Sequence, residues 1–313
     1  MIRNGGDVTA DCNLTIRGGN FVGGVNTVKN DSFGVLTING GNFSNTAQYV
    51  IMNWNKAEIT AGTFQTLDTA SAVLFTSAYD DDADTIGELS ISGGEFKHAS
   101  DTQEMIVDHY DASNSGTAAV TGGRFDADIS KYIPSDYVQS ADGTVEKLGE
   151  TNAVAKVDDT YYKTLAEAVA AADNATVTLL KDTAEDVTIP AGKTMTLDLN
   201  GKKLTNIDNN TITVENGATL TVTGTGTVDN MTHCKAAVYN KGTVTLAGGT
   251  YERSAEAGAD ANDDGGNSYY TIENYGSMSF GSGASVENAG HFSSMIRNGG
   301  KNTAESPAEM TIN

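Results

Sequence analysis

The chain has 313 residues, of which 41 are acidic and 19 basic, so its formal net charge is −22. Such a surface is repelled by phosphate backbones and anionic lipids, which argues against nucleic acid and anionic membranes as partners. No apolar run approaches the roughly 18 residues of a membrane-spanning helix, so we expect no membrane insertion within this segment. Hydrophobic residues are few, at 38%, and the 35 glycines fit a thin stack of short strands with many turns.

One eight-residue phrase recurs along the chain and sets its organisation. Its clearest copy, residues 36–43, reads Leu-Thr-Ile-Asn-Gly-Gly-Asn-Phe. Leu36 and Ile38 alternate with polar residues, as in a strand with one apolar face, and the Gly-Gly pair allows a sharp turn before Phe43. Related phrases start at Leu14, Ala57, Leu89, Ala118 and Val244. Copies within a block start about 20 to 35 residues apart, which is a period of stacked repeat architectures.

A second phrase precedes several copies and ends in asparagine. Asn30, Asn53, Asn240 and Asn274 stand at this position, where stacked side chains can hydrogen-bond from one repeat to the next. Two or three short strands cannot bury their own apolar side, so neighbouring repeats must stack. The pattern predicts an all-β fold, a right-handed parallel β-helix. The alternative is an antiparallel β-sandwich, which does not need the same residues at every turn.

The repeats divide into two blocks in tandem. We expect residues 1–148 to be the C-terminal part of a first β-helix with its exit cap, because the last residues of this block lack the repeat. Residues 149–153 are the expected linker, and residues 154–313 are the N-terminal part of a second β-helix, truncated at its end. The one predicted α-helix, near residues 164–172, has a capping box of Thr164 and Glu167 and would cap the second stack.

The predicted helix and the strands that follow it over residues 176–182 and 187–200 resemble the opening of pectate-lyase-like right-handed β-helix domains. The Gly-Gly-x-Phe repeats are similar to those of large repetitive surface proteins from gut Firmicutes. This resemblance implies an extracellular or cell-surface location, although this segment shows neither signal peptide nor anchor. Because the phrase Met-Ile-Arg-Asn-Gly-Gly occurs at residues 1–6 and again at 295–300, we expect both ends to be cuts through a longer repetitive protein.

Two classes of function are compatible with this scaffold. Catalysis would need carboxylates from adjacent repeats that converge with a basic residue. The outward strand positions are instead mostly small hydroxyls, as at Thr15, Thr37 and Thr221. We therefore expect a non-catalytic stalk or adhesin that presents loops to glycans or to host or bacterial surface proteins. The alternative is a carbohydrate-active enzyme, either a polysaccharide lyase or a glycosidase.

Two smaller groups of residues are candidates for binding. Trp54, near Tyr49, could stack on a sugar ring, but such an aromatic is more often part of the core. The run from Asp108 to Asp111, which includes His109, is the densest polar cluster with a histidine, and a solvated turn is its simpler interpretation.

An acidic stretch in the second block resembles the opening of a calcium loop. Asp260, Asn262 and Asp264 place oxygen ligands at positions one, three and five, with Gly265 at position six. Thr271 stands where the bidentate glutamate would be, so the match is half a motif.

A weaker calcium candidate lies in the first block. Asp80, Asp82 and Asp84 repeat the odd spacing without the glycine. For both stretches, the competing interpretation is a solvated run of charge in a long insertion.

We predict that calcium protects residues 260–265 from proteolysis and raises the melting temperature, because a divalent cation would relieve the repulsion between the carboxylates. Limited proteolysis and thermal unfolding, each with calcium and with a chelator, measure these effects. If titration calorimetry shows no binding at millimolar calcium and the melting temperature is unchanged, these residues serve only as charges that keep the protein soluble.

Overall fold

The computed structural model describes residues 1–6, 9–67, 71–78, 86–101, 103–232, 234–254, 270–287, 294–299 and 308–313. These residues are mostly β-strand, as the sequence predicts. They separate into two compact units, unit 1 (Met1–Lys147) and unit 2 (Leu148–Asn313). No helix in the described part of the chain has the length and apolar character that a membrane span requires.

Unit 1 is built from two parallel sheets and a terminal hairpin. Its strands are β1 (Ile2–Asn4), β2 (Cys12–Ile16), β3 (Asn20–Val22), β4 (Asn26–Asn30), β5 (Gly34–Asn45), β6 (Tyr49–Asn53), β7 (Lys56–Thr66), β8 (Ala72–Thr76), β9 (Glu88–Lys97), β10 (Glu104–Val107), β11 (Thr117–Phe125), β12 (Tyr137–Gln139) and β13 (Val145–Lys147). One sheet has the order β1-β4-β6-β8-β10 and the other β11-β9-β7-β5-β2, with β3 beside β5. The antiparallel sandwich alternative is wrong, because strands of consecutive repeats pair in parallel.

In unit 1 the phenylalanine of each phrase stacks on the phenylalanine of the next. Ring centroids lie 5.0, 5.0, 4.8 and 4.4 Å apart along this phenylalanine stack, and the rings are within 17° of parallel. Its members are Phe21, Phe43, Phe64, Phe96 and Phe125. The glycine before each ring is needed: Gly94 has a φ of +113°, and a Cβ there would lie 3.1 Å from the Phe96 ring and 3.2 Å from a backbone carbonyl.

Buried asparagines link the strands of the other sheet of unit 1. Asn4 donates to Asn30 at 2.9 Å, Asn30 donates to Asn53 at 2.8 Å, and Asn53 donates to the hydroxyl of Thr76 at 3.1 Å. Each amide also bonds to backbone carbonyls, so the polar groups are satisfied away from water. The predicted asparagine ladder is confirmed, and it continues through Asn4 and Thr76.

Unit 2 also contains two sheets of mainly parallel strands. Its elements are β14 (Ala155–Val157), β15 (Thr160–Tyr162), α1 (Leu165–Ala171), β16 (Thr176–Leu179), β17 (Thr183–Ala184), β18 (Val187–Ile189), β19 (Thr194–Asp198), β20 (Lys202–Thr205), β21 (Ile212–Val214), β22 (Thr219–Thr223), β23 (Gly226–Asp229), β24 (Val238–Asn240), β25 (Thr243–Glu252), β26 (Tyr270–Asn274), β27 (Ser277–Val286), β28 (Ser294–Asn298) and β29 (Glu309–Ile312). The smaller sheet has the order β18-β21-β24-β26-β28. The larger sheet holds the remaining strands, and among its described strands only β14 pairs antiparallel, with β15 and β16.

Helix α1 forms where the capping box predicts it. The Thr164 side chain accepts a hydrogen bond from the backbone N–H of Glu167, and the Glu167 carboxylate accepts one from the backbone N–H of Thr164. A second carboxylate, Glu185, accepts from the N–H groups of Leu165 and Ala166 at 2.8 and 3.0 Å, so the exposed donors of the first turn are satisfied. The helix packs Leu165, Ala168 and Val169 into the core of unit 2, and Ala172, directly after its last residue, is buried with them.

The residues predicted as a linker form a hydrogen-bonded turn just after the boundary between the units. Asn152 accepts a hydrogen bond from the N–H of Gly149 at 2.7 Å, and Ala153 is buried. Glu150 and Thr151 are exposed at the tip of this turn.

We predict that a glutamate-specific protease cuts first after Glu150, because this exposed tip can unfold locally without disturbing either core. Gel electrophoresis and mass spectrometry should show two resistant fragments, and Glu150→Gln should remove the cut. Early cleavage at many glutamates within the strands would contradict two independently folded units.

We predict that Phe64→Ala lowers the free energy of unfolding by about 3–5 kcal/mol, because it removes a fully buried ring that stacks on both sides. Urea unfolding measures this loss. The matched control is Phe21→Ala, which removes a partly exposed ring with one stacked neighbour and should cost clearly less. Equal losses in the two variants would contradict the stabilising role of the phenylalanine stack.

Candidate functional site

The smaller sheet of unit 2 presents one row of side chains away from the core. Side chains alternate between the two faces of a strand, and the apolar residues of this sheet, such as Val238 and Ile272, lie in the core of the unit. The residues that follow them are therefore on the opposite face. The parallel register aligns these outward residues in one row, formed by Thr188, Thr213, Tyr239, Glu273 and Arg297.

Three tyrosines surround the charged end of this row. The rings of Tyr239 and Tyr275 have centroids 5.3 Å apart and are tilted by 48°. The guanidinium carbon of Arg297 lies 5.4 Å from the ring centre of Tyr270 and 5.6 Å from that of Tyr275, and the Lys241 ammonium lies 5.6 Å from that of Tyr239. These cation–π contacts hold the rings in place. We call Tyr239, Tyr270 and Tyr275 the tyrosine platform.

A buried carboxylate lies beneath the tyrosine platform. Glu273 is 1% exposed, and its Oε2 accepts a hydrogen bond from the hydroxyl of Tyr275 at 2.7 Å. Its Oε1 lies 3.9 Å from Nη1 of Arg297 and accepts no hydrogen bond from the described residues. Burial and the hydrogen bond to Glu273 raise the pKa of Tyr275 above its usual value. The hydroxyl therefore stays protonated at neutral pH and remains a donor.

A second ion pair lies at the rim of the tyrosine platform. Lys241 Nζ contacts both carboxylate oxygens of Glu215, at 2.9 and 3.0 Å. Both side chains are partly exposed, so they are within reach of a ligand. With Arg297 beside Glu273, each cation at this site has a carboxylate neighbour.

Sequence reasoning missed this site. The phrases that contain Tyr239 and Glu273 were used only to predict strands and their closing asparagines. The available signal was the residue that precedes the asparagine, because the alternation of the strand places it on the outward face. Aromatic and charged residues at that position are not required by the core.

The predicted metal sites lie outside the described residues. This applies to Asp260, Asn262 and Asp264, and equally to Asp80, Asp82 and Asp84. Among the residues that the structure does describe, no group of three or more histidine, cysteine, aspartate or glutamate side chains could hold a metal ion. Calcium binding remains a prediction from the sequence.

Trp54 belongs to an aromatic cluster of unit 1. It is 5% exposed and packs edge-on against Phe75 at 4.8 Å and against Tyr110 at 5.4 Å. Tyr49 contacts Phe75 from another side at 4.8 Å. The expectation that Trp54 is a largely buried core aromatic is therefore confirmed, whereas Tyr110 in the same cluster is 57% exposed.

The histidine-containing cluster serves to connect segments of unit 1. Asp108 contacts Lys131 at 2.6 Å and His109 at 3.2 Å. Burial raises the pKa of Asp108, but the hydrogen bonds from Lys131 and His109 outweigh this effect and leave the pKa below its ordinary value. Asp111 accepts hydrogen bonds from the N–H groups of Ser113 and Asn114, which supports the interpretation of a solvated turn.

In unit 2, Lys203 contacts carboxylates from adjacent strands, which is the kind of cluster that an enzyme on this scaffold would require. Lys203 Nζ lies 2.9 Å from Asp229 and 3.4 Å from Glu252. Asp229 is 0% exposed and also accepts hydrogen bonds from the N–H and the hydroxyl of Ser254. The hydrogen bond to Asp229 raises the pKa of Lys203. A protonated lysine is a poor general base, and a buried, fully bonded carboxylate cannot reach a substrate, so this cluster is better explained as a link between strands.

Comparison with known proteins gives no match to a family model, to a curated protein or to a solved structure. The assignment of function therefore depends on the residues of this chain.

Proposed function

We propose that the chain is part of a non-catalytic, secreted or cell-surface repeat protein that binds glycans at the tyrosine platform. The proposed scaffold is a right-handed parallel β-helix in each unit. The parallel ladders between consecutive repeats, the phenylalanine stack and the asparagine ladder support this architecture.

The observation that carries the proposal is the tyrosine platform itself. Aromatic rings provide a flat apolar surface with a polar tip, which suits the mixed apolar and hydroxylated surface of a sugar. Arg297 and Lys241 add hydrogen-bond donors around the rings, and Glu215 adds acceptors. Tyr239 lies on the face of the sheet opposite the core, and Tyr239, Tyr270 and Tyr275 are not members of the described hydrophobic core of unit 2.

The enzyme alternative has less support among the described residues. Its requirement, a basic group free to accept a proton beside accessible carboxylates, is not met by Lys203, Asp229 and Glu252. No histidine is among the described residues that form the tyrosine platform and its rim, and the two carboxylates there are paired with cations. Recognition without a reaction is therefore the better interpretation of the site.

We predict that the intact chain binds glycans on an array and that Tyr239→Ala weakens the affinity for the best glycan at least about tenfold, because the ring provides the stacking surface. The matched control is Thr188→Ala, which changes an exposed residue of the same outward row and should leave the affinity unchanged. Chromatography of the glycan after incubation tests the enzyme alternative, since cleavage products would favour it. Absence of binding to every glycan would contradict the proposal.

A further inference from the structure

The charges around the tyrosine platform cancel in pairs. Lys241 is held by Glu215 through two contacts of 2.9 and 3.0 Å, and Arg297 lies beside Glu273, with Nη1 and Oε1 3.9 Å apart. The local formal charge of these four side chains is therefore zero. This balance differs from that of the whole chain, which carries −22.

An anionic ligand is disfavoured at this site. An anion that binds Arg297 would compete with Glu273. Because Glu273 is 1% exposed, water could not solvate its carboxylate in place of Arg297. A buried carboxylate that loses its cationic neighbour is costly.

A cationic ligand is disfavoured for a different reason. The guanidinium of Arg297 already lies over Tyr270 and Tyr275, and the ammonium of Lys241 lies over Tyr239. A cationic ligand would be repelled by these two positive charges, which already occupy the favourable positions over the tyrosine rings. Of the carboxylates that could offset this repulsion, Glu215 is bonded to Lys241, and Glu273 is buried beside Arg297, out of reach of a ligand.

A neutral, hydroxyl-rich ligand meets neither obstacle. A guanidinium carries five N–H donors. Among the described residues, Arg297 donates from Nε to the carbonyl of Gly299 at 3.0 Å, so the donors on Nη1 and Nη2 are those that a ligand hydroxyl would use. Glu215 is partly exposed and has lone pairs beyond those that Lys241 uses. Hydroxyls can both accept from the cations and donate to the carboxylate without breaking either ion pair.

We infer that the tyrosine platform selects neutral saccharides over uronic acids and over amino sugars. This inference rests on the proposed function and names its ligand class. Glu273 acts here as a positioning residue, because it holds the hydroxyl of Tyr275 and balances Arg297 without contacting the sugar.

Titration calorimetry with tetrasaccharides of galactose, galacturonic acid and galactosamine tests this selectivity, because the three probes differ in charge and share their ring geometry. We expect the neutral probe to bind at least about tenfold more tightly than either charged probe, with an affinity that changes little between low and high salt. Tighter binding of a charged probe would overturn the inference and leave glycan binding intact. No binding of any of the three probes, nor of any array glycan, would overturn the proposed function as well.

Variants that remove one negative charge test whether Glu273 and Glu215 set the charge preference of the site. Glu273→Gln keeps an acceptor for Tyr275 and leaves Arg297 without its anionic neighbour, so it should raise the affinity for the galacturonic acid probe relative to the galactose probe at least about tenfold. Glu215→Gln should shift the preference in the same direction and remains informative if the buried variant does not fold. The control Glu150→Gln makes the same charge change on the exposed linker turn and should shift nothing. Unchanged preference in both site variants would overturn the inference.

Discussion

The register between parallel strands is the constraint on which the site depends. Side chains alternate with a period of two, so a slip of one residue would turn every outward side chain towards the core. In the smaller sheet of unit 2 the buried side chains of Asn240 and Asn274 support this register: Asn240 donates to Asn274 at 2.7 Å, and Asn274 donates to the exposed Asn298 at 2.7 Å. Each of these asparagines directly follows a residue of the outward row. The same ladder that satisfies the buried polar groups therefore aligns Tyr239, Glu273 and Arg297.

This coupling explains why buried polar groups persist in a structure with a thin core. An asparagine that lost its partner in the ladder would leave buried donors unsatisfied, at a cost of about 1–3 kcal/mol. A strand shifted by one residue would incur that cost and also expose an apolar residue such as Ile272. The ladder thus penalises wrong registers, while the apolar rows and the phenylalanine stack provide attraction that is less specific for register.

The features that could be predicted from the sequence are those encoded within one repeat. The asparagine ladder and the parallel strands follow from residues that recur in each phrase, and helix α1 follows from the local pair of Thr164 and Glu167. The contacts of the candidate site could not be predicted in the same way. They depend on which repeats become neighbours, and the spacing between Tyr239, Glu273 and Arg297 varies with the length of the insertions. The contact of Lys203 with Glu252, 49 residues away, is unpredictable for the same reason.

The residue that precedes the ladder position differs from one repeat to the next. In unit 1 the equivalent outward residues are Arg3, Lys29, Met52 and Phe75, each of which directly precedes a member of the ladder. That row changes from charged to apolar along the sheet, whereas the row in unit 2 changes from threonine to tyrosine, glutamate and arginine. In both units parallel pairing aligns the row, and an asparagine follows three of its members: Arg3, Lys29 and Met52 in unit 1, and Tyr239, Glu273 and Arg297 in unit 2. The proposed glycan recognition uses this outward row, whose residues can vary between repeats while the parallel pairing of the strands stays the same.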